Sequence, residues 1–306
     1  MSAFKAMHND IASYEACPNL DPLMRDLDEH GLVKHALELD AYGLTVIPPE
    51  IMGTDNDFPD RLREAILRTC ERRNDIEIGD YTTASPEQAK VAFKNSWYLL
   101  QEDDVFAEAA TNPRVLTIAR WLLGQSAMLT GHTWIIKPES AGGLGLHSDA
   151  HGIPPGGGHI AHVANLSWLC TDYAGADDGP TVFVPGSHRY GRATLPHESS
   201  LTDTPFKVVP LHGKAGSLAV WHGSTWHGST PRKNPGLRVT LVQVFMRMHM
   251  RPIHQWNRDE IDPELLKRFP ELERVLGLES LYPYREHNDH PERVGPFMKT
   301  GTDPFA

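Results

Sequence analysis

Cysteine is scarce in this chain: 306 residues hold three, Cys17, Cys70 and Cys170, far apart from one another. Neither a disulfide framework nor a paired-cysteine metal knuckle can be built from them, which fits a reducing compartment. Long apolar runs are missing too, and none approaches the roughly eighteen residues that a membrane-crossing helix needs. The first residues, MSAFKAMHNDIASYEA, lack the basic-then-apolar order of an export signal. The expectation is therefore a cytoplasmic protein with no membrane partner. Basic residues are the minority, 29 against 40 acidic, for a formal net charge of −11. That balance argues against nucleic acid as a partner, since a phosphate backbone selects a basic surface. Histidine, in contrast, is abundant: there are 17, many of them between 132 and 254.

The length is a prior for about two domains, although β-barrels with helical additions often run this long as one unit. Residues 1–125 read as a mostly helical scaffold. PDRLREAILRTCERR starts at Pro59 and sets Leu62, Ile66, Leu67 and Cys70 on one helical face. In TNPRVLTIARWLLG, Asn112 suits the N-cap, Pro113 the first helical position and Gly124 the stop. Between 126 and 250 the pattern changes to short β-branched runs separated by Gly, Pro and Asp. The expected strands are 129–137, 159–171, 181–185, 206–210, 216–222 and 237–245. Strands this short and this closely spaced predict an antiparallel sandwich or jelly roll. GIPPGGG (152–158) is too rich in Gly and Pro for a regular element and suggests a mobile flap. Residues 251–306 predict one helix opened by Asp262 and Pro263, then a polar tail.

His147-Ser148-Asp149 follows a glycine-rich turn. On an extended strand the first and third residues share a face, so imidazole and carboxylate can converge on one ion. WHGSTWHGSTPRKNPGLRVTL adds two further candidates, His222 and His227, and a cation, Arg238, on an alternating strand. Two histidines and one carboxylate leave half an octahedral shell open, the arrangement used by non-haem Fe(II) oxygenases. The open positions would take O2 and a chelating keto acid such as 2-oxoglutarate. Its far carboxylate calls for a fixed bidentate cation, which Arg supplies better than Lys. Arg238 and Ser229 are the candidates.

HSD at 147–149, GPTVFVPGSH at 179–188, and HGST at 227–230 with Arg238 beyond it resemble the phytanoyl-CoA dioxygenase family of Fe(II)/2-oxoglutarate-dependent oxygenases. AYGLTVIPPE (41–50), FMRMHMRP (245–252) and FPELERVLGLESLYP (269–283) extend the resemblance over most of the chain. It implies a double-stranded β-helix (jelly-roll, cupin-like) core flanked by α-helices, as a single domain over 1–306. It assigns Fe(II) to His147, Asp149 and His227, the family's His-to-Arg spacing choosing His227 over His222. It gives 2-oxoglutarate to Arg238 and Ser229, with Thr181 and Trp168 as further contacts and Thr133 as a pocket wall. The reaction implied is decarboxylation of 2-oxoglutarate to succinate, coupled to oxidation of an unactivated C–H bond in a small organic substrate with a hydrophobic portion. The presence of Asp149 disfavours halogenation, which in similar enzymes needs a small residue there.

Two alternatives stand beside this. A jelly-roll binding protein would keep the fold without turnover, and HSDAH offers a Zn-dependent hydrolase site of His147, Asp149 and His151. PGSH at 185–188 reads as a structural turn, and Cys170 as an inert core residue.

Overall fold

The computed structural model describes residues 20–278 apart from 151 and 155. Two helices, α1 (Leu20–Glu29) and α2 (Val33–Tyr42), open it. Gly43 ends α2 at φ 76° and turns the chain directly into β1 (Leu44–Ile47). Then come α3 (Pro49–Met52), α4 (Phe58–Asn74), α5 (Asp104–Thr111) and α6 (Pro113–Leu123). The α4 face expected from sequence is buried, with Phe58, Leu62, Ile66 and Cys70 inside. The α6 signals act as read: the Asn112 side chain accepts from the backbone N–H of Arg114 at 2.9 Å and Val115 at 3.4 Å, satisfying donors that have no partner within the helix.

Eight strands follow: β2 (Ala127–Pro138), β3 (Leu144–His147), β4 (Val163–Leu169), β5 (Thr181–Phe183), β6 (Val209–Pro210), β7 (Leu218–His222), β8 (His227–Ser229) and β9 (Leu237–Arg247). A five-stranded sheet runs β1-β7-β4-β9-β2 and a four-stranded one β3-β8-β5-β6, with every pairing antiparallel. This is the jelly-roll core. The sequence reading takes β1 for no strand, because four residues between helices carry too little alternation to stand out. It also misses β3 and β8, which are just as short.

Alternation along the larger sheet divides its two faces. Leu166, Trp168, Val239, Leu241 and Phe245 join the main core beneath the helices. Val163, Val242, Val244 and Met246 form a separate apolar cluster on the opposite face, toward the smaller sheet. Trp168 therefore corrects the expectation of a co-substrate contact. Its ring lies 4.8 Å from Phe58, edge-on, and its indole N–H donates to the Ala109 carbonyl at 3.3 Å. The residues of β4 that do face the pocket are Val163, Asn165, Ser167 and Leu169.

The C-terminal helix divides into α7 (Pro263–Arg268) and α8 (Leu272–Val275). Asp262 caps α7 through the Glu264 N–H at 2.9 Å, but Pro270 has no N–H to continue the ladder. The polar tail from 279 lies outside the described residues. Among the described residues no helix is long and apolar enough to cross a membrane.

Candidate metal centre and pocket

His147 and His227 stand opposite each other on neighbouring strands, paired in the β3–β8 register. Gly228 makes that pairing possible, since a Cβ there would lie 2.4 Å from the Leu144 carbonyl oxygen. Asp149 sits just past the end of β3, anchored by its backbone N–H to the Gly223 carbonyl at 2.9 Å. One donor atom from each of the three lies within 4.8 Å of the others. The Nε2 of His147 is 3.6 Å from Oδ1 of Asp149, and the Nε2 of His227 is 3.3 Å from Oδ2. Each histidine fixes its other nitrogen on a carbonyl: Nδ1 of His147 on Gly145 and Nδ1 of His227 on Thr225, both at 3.0 Å. Nδ1 therefore carries the hydrogen and Nε2 presents a lone pair, the orientation that holds a metal-binding imidazole. Burial holds His227 below the ordinary histidine value, partly offset by Asp149, so it is neutral and ligand-ready at neutral pH. The donor set fits an ion such as Fe(II) with open positions.

His222 is elsewhere. Its Nδ1 accepts from the Ser224 N–H at 3.0 Å and its ring lies 5.3 Å from His188, and burial brings its pKa down to about 4. His151 lies outside the described residues. PGSH is the structural turn expected of it: the Ser187 hydroxyl donates to the Val184 carbonyl at 2.6 Å and accepts from the Trp226 N–H at 2.8 Å. That fixes the residue next to His227.

A cavity of about 780 Å³ opens between the sheets and contains the triad, Thr133, Thr181, Ser229 and Arg238. At its deep end Arg238 is 2% exposed. Its guanidinium donates to the Gly179 carbonyl and lies 4.8 Å over the Tyr173 ring, and its Nε has no partner. The left-handed turn at Gly179, φ 63°, brings that carbonyl in. A Cβ on Gly179 would sit 2.8 Å from the Arg232 backbone.

Sequence reasoning missed two residues here. Lys137, directly across β2–β9 from Arg238, points its ammonium at the Ser229 hydroxyl, 3.2 Å away. Burial, then Arg238 and Arg232, push its pKa down to about 8. Asn165 donates from Nδ2 to Oδ2 of Asp149 at 2.7 Å. An amide inside the largely apolar run VANLSWL was the available signal, because a buried amide needs a partner. Asn165→Ala removes the donor that orients the carboxylate and is expected to weaken metal binding by about 10- to 100-fold. Anaerobic metal titration checks this, and unchanged affinity would deny Asn165 a positioning role.

A sequence model of the phytanoyl-CoA dioxygenase family matches residues 40–240. Dioxygenase af480 of Aspergillus fumigatus is 26% identical over 264 residues, 85% of this chain and 77% of that protein. The ectoine dioxygenase of Halomonas elongata is 26% identical over 228 residues, 67% of this chain and 68% of that one. Among solved structures, EctD from S. alaskensis with 2-oxoglutarate and 5-hydroxyectoine has a TM-score of 0.56 at 21% identity, covering 76% of this chain and 82% of that chain. HygX from Streptomyces hygroscopicus with nickel and 2-oxoglutarate has a TM-score of 0.55 at 17% identity, covering 74% and 89%. The two structural likenesses support the jelly-roll fold.

Proposed function

This chain belongs to the phytanoyl-CoA dioxygenase family, and from that premise we propose an Fe(II)/2-oxoglutarate-dependent oxygenase whose iron is held by His147, Asp149 and His227. The observation that carries the assignment is the convergence of three donor atoms within 4.8 Å, with both imidazoles turned Nε2-inward. Bound iron, with 2-oxoglutarate and O2, supplies an oxidant able to attack an unactivated C–H bond, with release of succinate and CO2.

The chain's own contribution is placement. Arg238 offers a fixed fork to the distal carboxylate of 2-oxoglutarate, and Lys137 adds a second charge across the strand pair. The Ser229 hydroxyl, already aligned by Lys137, and Thr181, at the same register as Ser229, complete a polar end. Asn165 holds Asp149 so that its carboxylate faces the histidines. Two sheets closing over the cavity limit water around the reacting carbon, and fixed geometry lowers the barrier by keeping it close. The substrate is a small molecule with a hydrophobic portion, matching the Val163, Val242, Val244 and Met246 surface. The ectoine dioxygenases and HygX are relatives in fold and chemistry and do not define this substrate. We place the enzyme in the cytoplasm, as a single domain.

The test is anaerobic addition of Fe(II) and 2-oxoglutarate, expected to give a weak visible charge-transfer band, followed by a screen for substrate-stimulated succinate release. With no band and no 2-oxoglutarate binding, the oxygenase proposal fails.

A further inference from the structure

The pocket has two chemically different ends. At the deep end stand Lys137, Arg238, Ser229, Thr181 and the Tyr173–Thr240 hydroxyl pair, whose oxygens are 2.5 Å apart. At the other, beyond the triad, the floor is the buried cluster of Val163, Val242, Val244 and Met246 with Met250 packed against it. Its rim is apolar and open: Trp97 and Ile253 line the same cavity and are exposed, while Ile135 and Leu144, exposed as well, stand across from Thr240 and Ser229. Exposed apolar side chains gathered at one cavity mouth mark a binding surface.

Charge separates the ends further. Asp149 is the only carboxylate among the described lining residues. Among the described lining residues the sole cation outside the deep end and the triad is Arg251, exposed at the mouth. Among the described residues it pairs with no carboxylate. On the proposed loading, a dication on Asp149 leaves one positive charge, and Lys137 with Arg238 balances the two charges of 2-oxoglutarate. Arg251 then adds another positive charge to an already positive chamber. An ammonium group entering there would meet like charge and no counter-ion, whereas a carboxylate would meet a free guanidinium able to bind it through two parallel hydrogen bonds.

We propose that the substrate is an apolar-bodied carboxylic acid, its hydrocarbon seated on the Val163–Val242–Val244–Met246 floor and its carboxylate held by Arg251. Arg251 is the specificity-determining contact. The inference rests on the oxygenase proposal for the loaded charge state, while the apolar floor and the exposed Arg251 beside it belong to the protein alone.

The test uses the full chain, without air, with Fe(II) and 2-oxoglutarate present, and three probes of equal chain length: decanoate, decan-1-ol and decylamine. Trp97 and Trp221 line the cavity, so quenching of tryptophan fluorescence reads binding without turnover. Decanoate is expected to bind about tenfold more tightly than decylamine, the scale of a charge-assisted hydrogen bond gained against a repulsion. Arg251→Gln should weaken decanoate about fivefold and leave decan-1-ol unchanged, and Arg251→Lys should restore part of the loss. Decylamine binding as tightly as decanoate, equal effects of Arg251→Gln on the acid and the alcohol, or no decanoate binding would each overturn the proposal. Loss of 2-oxoglutarate binding with decanoate binding intact would instead sink the oxygenase assignment and leave this one standing.

Discussion

His227→Ala is expected to abolish iron binding and succinate release together, by more than about 100-fold, since even an outer partner of a metal ligand is worth about 10- to 100-fold. The residue supplies one of two imidazole donors, and among the described residues no third histidine joins the cluster. His222 is five positions earlier in the same WHGSTWHG stretch but is turned toward His188, 5.3 Å away. His222→Ala is therefore the matched control: also buried, also histidine, and expected to keep iron and 2-oxoglutarate. Both side chains are held neutral by burial, so neither deletion strips a buried charge of its partner. Each should cost the fold about 1–2 kcal/mol, as a modest internal truncation does. Iron content by metal analysis, the anaerobic band and thermal unfolding separate the outcomes. Iron lost from His222→Ala and kept by His227→Ala would reverse the assignment.

The pairing of those two histidines also shows what was legible in the chain and what was not. HSD, HGST and the Arg238 strand could be read because metal and carboxylate chemistry demands particular residue types at short spacing. The long strands β2, β4, β7 and β9 could be read because burial on both faces leaves continuous apolar runs. The ligand-bearing strands β3 and β8 could not, since LGLH and HGS hold glycine and no β-branched residue; only their pairing across the barrel defines them. Trp168 was misplaced for a related reason. In a strand buried on both sides, composition does not tell which face meets the pocket, and a single step in parity exchanges Trp168 for Ser167. Lys137 escaped notice because its importance arises from long-range register: it faces Arg238 only through the β2–β9 ladder. Asn165 was the opposite case, a visible polar residue in an apolar run whose partner, Asp149, no local pattern names.

Arg238→Met is expected to raise KM for 2-oxoglutarate by roughly 100-fold or more, the effect of about 3 kcal/mol when one partner of a buried charge pair is removed. The same change should leave the ligand-free protein as stable as wild type or more so. Without co-substrate, Arg238 and Lys137 are buried cations in register with each other, and no carboxylate among the described residues pairs with either. Arg238 also helps to depress the Lys137 pKa to about 8. An isosteric apolar side chain relieves that repulsion and removes the unpartnered Nε, a substitution that is often neutral or stabilising at buried ionic sites. Thermal unfolding should thus show the two effects moving in opposite directions. Wild type would gain stability on adding 2-oxoglutarate, about 2.7 kcal/mol at a hundredfold excess over Kd, and Arg238→Met would gain almost nothing. Lys137 sets the pH dependence of the same site. Its folded pKa is lowered, so it is charged below about pH 8 and neutral above; KM for the dianion should therefore rise as pH increases through 8, and in Lys137→Met it should be high at every pH without that rise. In the ligand-free protein the sign is reversed. Between about pH 8 and the ordinary lysine value near 10.4 the unfolded chain binds the proton that the folded chain has lost, so stability increases with pH there. A 2-oxoglutarate affinity indifferent to Arg238→Met, or a KM that falls as pH rises through 8, would place the co-substrate somewhere other than between these two cations.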